Sequence, residues 1–126
     1  MQNLTNFFKN NAIAREDKVS IAISNRFLDD GGKPIEWVFK SLTPSKIDKI
    51  GLAPKEQRML MMLEECVVFP DLKNADLQNS YGVYGVVELI DELLNPKEYG
   101  ELVNVLIKIN GLDKNINSMV DDVKNY

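Results

Sequence analysis

The segment from Asn95 to Leu112 constrains the fold more than any other part of the chain. Tyr99, Leu102, Val103, Leu106 and Ile107 recur at i, i+3, i+4, i+7 and i+8, the spacing that aligns one face of an α-helix. Asn95 stands where an N-cap accepts backbone N–H groups. Pro96 takes the first helical position, and Glu98 the third, from which a capping-box carboxylate reaches back. Gly111 closes the helix, with Leu112 placed to fold back as the apolar partner of that cap. A helix with so definite a start, stop and apolar face needs a core to bury it.

The preceding residues supply that core in two styles. Val19, Ile21 and Ile23 alternate with Ser20, Ala22 and Ser24, and Ile35, Trp37 and Phe39 alternate with Glu36, Val38 and Lys40. A period of two in β-branched and aromatic residues predicts two strands. Asp29-Asp30-Gly31-Gly32-Lys33-Pro34 lies between them and is rich in turn formers, so residues 18–42 are expected to form a β-hairpin. Before it, Leu4, Phe7 and Phe8 predict a short N-terminal helix. After it, Thr43-Pro44 opens a helix expected to stop at Gly51, and Pro54 opens a second with Met59, Met62, Leu63 and Cys66 at helical spacing. Val67-Val68-Phe69-Pro70 ends that helix with an extended turn, and a single helical turn is expected within 71–80. Tyr81-Gly82-Val83-Tyr84-Gly85 reads as a hinge-like patch. Val86, Val87, Leu89, Ile90, Leu93 and Leu94 then make a helix apolar on most of its surface. Asp113 is placed to cap a last helix with Ile116, Met119, Val120 and Val123 on its apolar face. The expected architecture is α+β and mainly helical. An N-terminal helix and β-hairpin are followed by a compact bundle of about five helices, in one domain spanning residues 1–126.

Composition narrows the chemistry. The 126 residues include no histidine, which removes the commonest general base and metal ligand. Cys66 is the one cysteine; a buried structural role is expected, since Glu64 and Glu65 beside it disfavour a thiolate. Gly31-Gly32-Lys33 lacks the context of a phosphate loop, because Pro34 and a strand follow it. The pairs Glu64-Glu65, Asp91-Glu92 and Asp121-Asp122 diverge by about 100° on a helix and do not converge on one site. Asp71–Asp76 lacks the glycine and terminal glutamate of a calcium loop. No catalytic residue, metal or cofactor is therefore expected. The absence of a signal-like start and of a long apolar run points to the cytosol. A net charge of −4 argues against nucleic acid. From Gly82 to Tyr126 there are eight acidic and four basic residues, an excess equal to that whole net charge. Such an asymmetry suits either a basic partner or ordinary solvated helix faces.

Several segments, in order, carry a family resemblance. They are Asn3–Phe8; Ser24–Asp30 with Gly32–Trp37; Val67–Val83; Pro96-Lys97-Glu98-Tyr99; and Ile109-Asn110-Gly111-Leu112-Asp113. In order and spacing they resemble the XkdN-like phage tail assembly chaperones of Gram-positive phages and PBSX-like prophages. The resemblance implies a non-catalytic protein of the bacterial host cytoplasm that binds the tape measure protein and keeps it soluble. It also implies absence from the mature virion. The tail tube protein is a further candidate partner, self-association is left open, and neither nucleic acid nor membrane is expected. The alternative is a minor structural protein of the tail or neck, with the same profile. For the surface that holds the client, Met62, Leu63, Val86, Leu89 and Leu93 are the candidates. Their helices carry more apolar residues than one core face needs, and methionines such as Met59, Met61 and Met62 adapt to varied partners.

Overall fold

The computed structural model describes residues 3–15 and 17–112. Trp37 and Phe39, two residues apart, place both rings on the buried side of strand β2 (Trp37–Lys40), with centroids 6.2 Å apart and planes inclined by 17°. Strand β1 (Lys18–Ile21) runs antiparallel along one edge, Val19 opposite Phe39 and Ile21 opposite Trp37. The other edge carries β3 (Val67–Phe69), also antiparallel, so the order is β1-β2-β3. This third strand replaces the extended turn expected from sequence. Three residues are too few for a period of two to register, and only the long-range partner makes them a strand.

The hairpin has shorter strands than the alternation suggests. After Ile21 the chain leaves the ladder, because Ile23 and Ser24 turn inward and are buried. It closes at the expected turn: Asp29 Oδ1 accepts from Gly31 N at 2.8 Å and Lys33 N at 2.9 Å, with Gly32 at φ 79°. The N-terminal helix is reduced to one 3-10 turn, Leu4–Phe7, capped by Asn3 and without a buried residue. One turn cannot offset its nucleation cost when nothing packs on it.

Among the described residues five α-helices follow. Thr43 caps α1 (Pro44–Leu52) through its side chain. That helix runs through Gly51 and stops at Ala53, which Pro54 forces into extended backbone at φ −74°, ψ 156°. Next come α2 (Lys55–Cys66) and α3 (Ala75–Ser80), the latter capped by Asn74. Gln78 ties α3 to its neighbours, its amide donating to Leu72 O at 2.8 Å and accepting from Gly85 N at 2.9 Å. The Tyr81–Gly85 patch is thus held at one end by a side-chain clamp. Gly85, at φ 137°, opens α4 (Val86–Leu93), and the Glu88 carboxylate occupies the space a Cβ there would need. The expected capping box of Asn95 and Glu98 is present at the start of α5 (Pro96–Ile109). Gly111, at φ 68°, follows its end, and Leu112 packs against the core. The last expected helix, from Asp113 on, lies outside the described residues.

The sheet and helices share one cluster, with Phe39, Leu63, Cys66, Leu89, Leu102 and Leu106 almost wholly removed from solvent. Cys66 is in its middle, as expected for a structural thiol, and burial pushes its pKa up. Beside it Asn110 donates to Leu106 O at 2.9 Å and accepts from Leu42 N at 2.8 Å, locking the end of α5 against the chain between β2 and α1. Because Leu106 is 1% exposed, Leu106→Ala should cost about 2–5 kcal/mol of unfolding free energy, read as a lower denaturant midpoint at unchanged slope.

Candidate protein-binding surface

The five residues expected to hold a client all belong to the interior. Leu89 is 0% exposed, Leu63 2%, Leu93 4%, Val86 7% and Met62 9%. On α4 the buried side is Val86, Leu89, Ile90 and Leu93, while Val87, Glu88, Asp91 and Glu92 face solvent. A surface made of the five together is therefore closed to a partner in this conformation. Met59 and Met61 are half-buried and packed against the same core.

Two of the five nevertheless reach an opening. Leu63 lines a cleft of about 430 Å³ between α2 and the corner where α4 meets α5. Buried Leu63, Ile90 and Leu94 form its floor, half-buried Met59 and Leu60 its α2 wall, and exposed Val87 and Tyr99 its rim. Glu56 and Asp91 are the charged residues among its lining. Leu93 lines a smaller opening of about 150 Å³ with Phe27, Trp37, Phe69 and Tyr81, nearly all apolar. The rim residues escaped the sequence reading because helical spacing reports which residues are apolar, and only packing decides which of them reach solvent.

An ion pair between half-exposed Arg26 and buried Glu98 positions the α4–α5 corner. Arg26 Nη2 donates to Leu93 O at 2.7 Å, at the end of α4, and Arg26 Nε donates to Glu98 Oε2 at 3.0 Å, in the first turn of α5. Ser24 Oγ donates to the same carboxylate, and Asn95 N donates to Glu98 Oε1 at 2.9 Å. These donors, led by Arg26, outweigh burial and hold the Glu98 carboxyl down at about 2. Arg26 escaped the sequence reading because its partner is 72 residues away, with no local signal.

Among the described residues no three potential ligands from His, Cys, Asp and Glu come together as a metal site. No helix among them is long and apolar enough to cross a membrane. What the described surface offers is one apolar cleft edged by Glu56 and Asp91 and a second, smaller apolar opening without charged lining.

The family model for the phage XkdN-like tail assembly chaperone protein matches residues 4–124. The chain belongs to this family. Among its relatives is the Bacillus subtilis protein YqbN, 26% identical over 94% of this chain and 91% of the relative. Another is the phage-like element PBSX protein XkdN of the same organism, 25% identical over 94% and 92%. The crystal structure of YqbN aligns with a TM-score of 0.71 at 27% identity, covering 88% of this chain and 98% of that one. The family resemblance read from the sequence is thereby established, and the partners of this chaperone family are phage tail proteins.

Three outcomes follow from this geometry. Glu98 has a folded-state pKa of about 2 against an ordinary 4.5, so its stabilisation is complete above about pH 4.5 and is lost as pH falls toward 2. Glu98→Gln should lower the melting temperature at neutral pH and narrow its gap from the parent across that acid window. Leu89→Asp, which buries an unpaired charge, should cost at least the roughly 2–5 kcal/mol of a leucine truncation and abolish the cooperative melt. Val87→Asp, at a residue 41% exposed, should leave the circular dichroism spectrum and melt nearly unchanged.

Proposed function

We propose that this protein is a non-catalytic tail assembly chaperone that binds the tape measure protein and keeps it soluble in the host cytoplasm until the tail tube forms around it. The observation that carries this reading is the family match along residues 4–124. A tape measure protein is a very long helical chain, and its apolar helix faces aggregate unless covered. A groove between helices covers such faces by taking an amphipathic helix along its apolar side. The α2–α4 cleft has that form, with an apolar floor and a rim partly open to solvent. Of the candidates read from sequence, Leu63 contributes to this floor and Leu93 to the second opening, while Met62, Val86 and Leu89 are buried in the core. The tail tube protein is a second partner on this reading, and the chaperone is absent from the finished particle.

Co-expression with the tape measure protein tests the proposal. The tape measure protein, in the pellet when made alone, should move to the supernatant and co-purify with the chaperone. Folded Val87→Asp should reduce the co-purified amount. A tape measure protein that stays in the pellet beside abundant wild-type chaperone refutes the proposal, as does the chaperone in fixed copy number in purified virions, which marks a structural protein.

A further inference from the structure

We infer that the α2–α4 cleft takes an amphipathic helix whose apolar stripe is flanked by lysine or arginine. The inference rests on the proposed function for the source of that helix, and on the cleft alone for its chemistry.

The apolar half of the argument is the floor of Leu63, Ile90 and Leu94, which offers buried contact to large side chains entering between Met59 and Val87. The charged half is the edge. Glu56 and Asp91 line the cleft, and among the described residues no lysine or arginine does. Both are exposed, and neither forms a salt bridge among the described residues. Lys55, adjacent to Glu56, does not line the cleft, and the next bases in sequence are directed elsewhere. Arg58 donates to Ala53 O at 3.0 Å and Gly51 O at 3.1 Å, and Lys97 lines the separate hollow around Ser24 and Glu98. Along α4 the charged residues are Glu88, Asp91 and Glu92, all acidic. An incoming helix with carboxylates beside its apolar stripe meets like charge on both walls, while one with lysines or arginines gains a partner on each.

The same edge discriminates among segments of this chain. Residues 113–126 carry Asp113, Asp121 and Asp122 against Lys114 and Lys124, a poor match to an acidic rim. Residues 3–15 expose Leu4, Phe7 and Phe8 beside Lys9 and Arg15, the right chemistry. Their four-residue 3-10 turn is too short to lay a helical stripe along the cleft. A separate, longer helix is the occupant that satisfies both floor and rim.

Two fluorescein-labelled 18-residue helical peptides test this on the full chain by fluorescence anisotropy. Both carry leucines at i, i+3, i+4 and i+7; one has lysines on the flanks of that stripe, the other glutamates. The lysine peptide should bind about tenfold tighter at ~0.1 M salt, the sum of two exposed charge pairs changing from attraction to repulsion. That preference should shrink at ~1 M salt. It should reverse in the double variant Glu56→Lys, Asp91→Lys. The control double variant Glu88→Lys, Glu92→Lys makes the same charge change away from the cleft and should keep the preference. Equal binding of both peptides, binding of neither, or loss of preference in the control overturns the inference. So does a change of oligomeric mass in Glu56→Lys, Asp91→Lys without peptide binding to the parent, which makes the cleft a contact between copies. Co-expression separates this from the proposed function. Wild-type chaperone that solubilises the tape measure protein without showing the peptide preference overturns the cleft chemistry alone. Peptide preference without solubilisation overturns the function and leaves the cleft assigned.

Discussion

The Glu98 carboxylate accepts hydrogen bonds from Ser24 and Arg26 in the loop between β1 and β2, and from Asn95 at the start of α5. A buried carboxylate is tolerable only when its lone pairs are occupied and its charge is matched; Asn95 meets the first condition locally, and Ser24 and Arg26, 74 and 72 residues away, complete it and match the charge. The same carboxylate therefore closes the helix cap and ties the loop to it. Arg26 extends the link to the last turn of α4 through Leu93 O. At the other end of α5, Asn110 plays the neutral counterpart, bonding Leu42 N and Leu106 O and lying 3.6 Å from Cys66 Sγ. With both ends pinned, Leu102 and Leu106 have one way to face, and the core of Phe39, Leu63 and Leu89 forms around them.

What the sequence made legible was local. The Asn95–Glu98 capping box, the Thr43-Pro44 start and the Asp29 turn each satisfy backbone groups within a few residues, and each is present. What stayed hidden depends on distance along the chain. β3 exists because β2 is beside it, and the Arg26–Glu98 pair bridges 72 residues. Competition between neighbours also misled: Gly51 permits a stop, but Pro54 enforces one, and the helix obeys the stronger constraint. The client-binding candidates show a further limit. Apolar character in Met62, Val86 and Leu89 is the same whether a residue fills the core or meets a partner, so their burial became visible only with the fold. Val87 and Tyr99 carry the same character to the surface, 41% and 37% exposed.

Within the described residues, the acids of the C-terminal third take definite places in the fold. One of them is consumed internally, where Glu98 meets Arg26. Asp91 stands at the rim of the larger cleft, joined across from α2 by Glu56, while Glu88 and Glu92 continue the charge along the outer side of α4. Family membership places the chain among proteins of tail assembly, and the surface proposed for docking combines an apolar floor with an acidic edge.

The clamped corner has a kinetic consequence. Both walls of the cleft are anchored before anything enters: α2 packs on α4 and on the sheet, and the α4–α5 junction is fixed by Arg26. The host surface thus has little ordering entropy left to lose, and the barrier to capture falls mainly on the visitor. Encounter rates are then set by diffusion and by long-range attraction to the carboxylates, while residence time is set by how much apolar floor the visitor covers. A shallow, rigid floor favours fast exchange, so that an occupant leaves without any part of the host having to unfold.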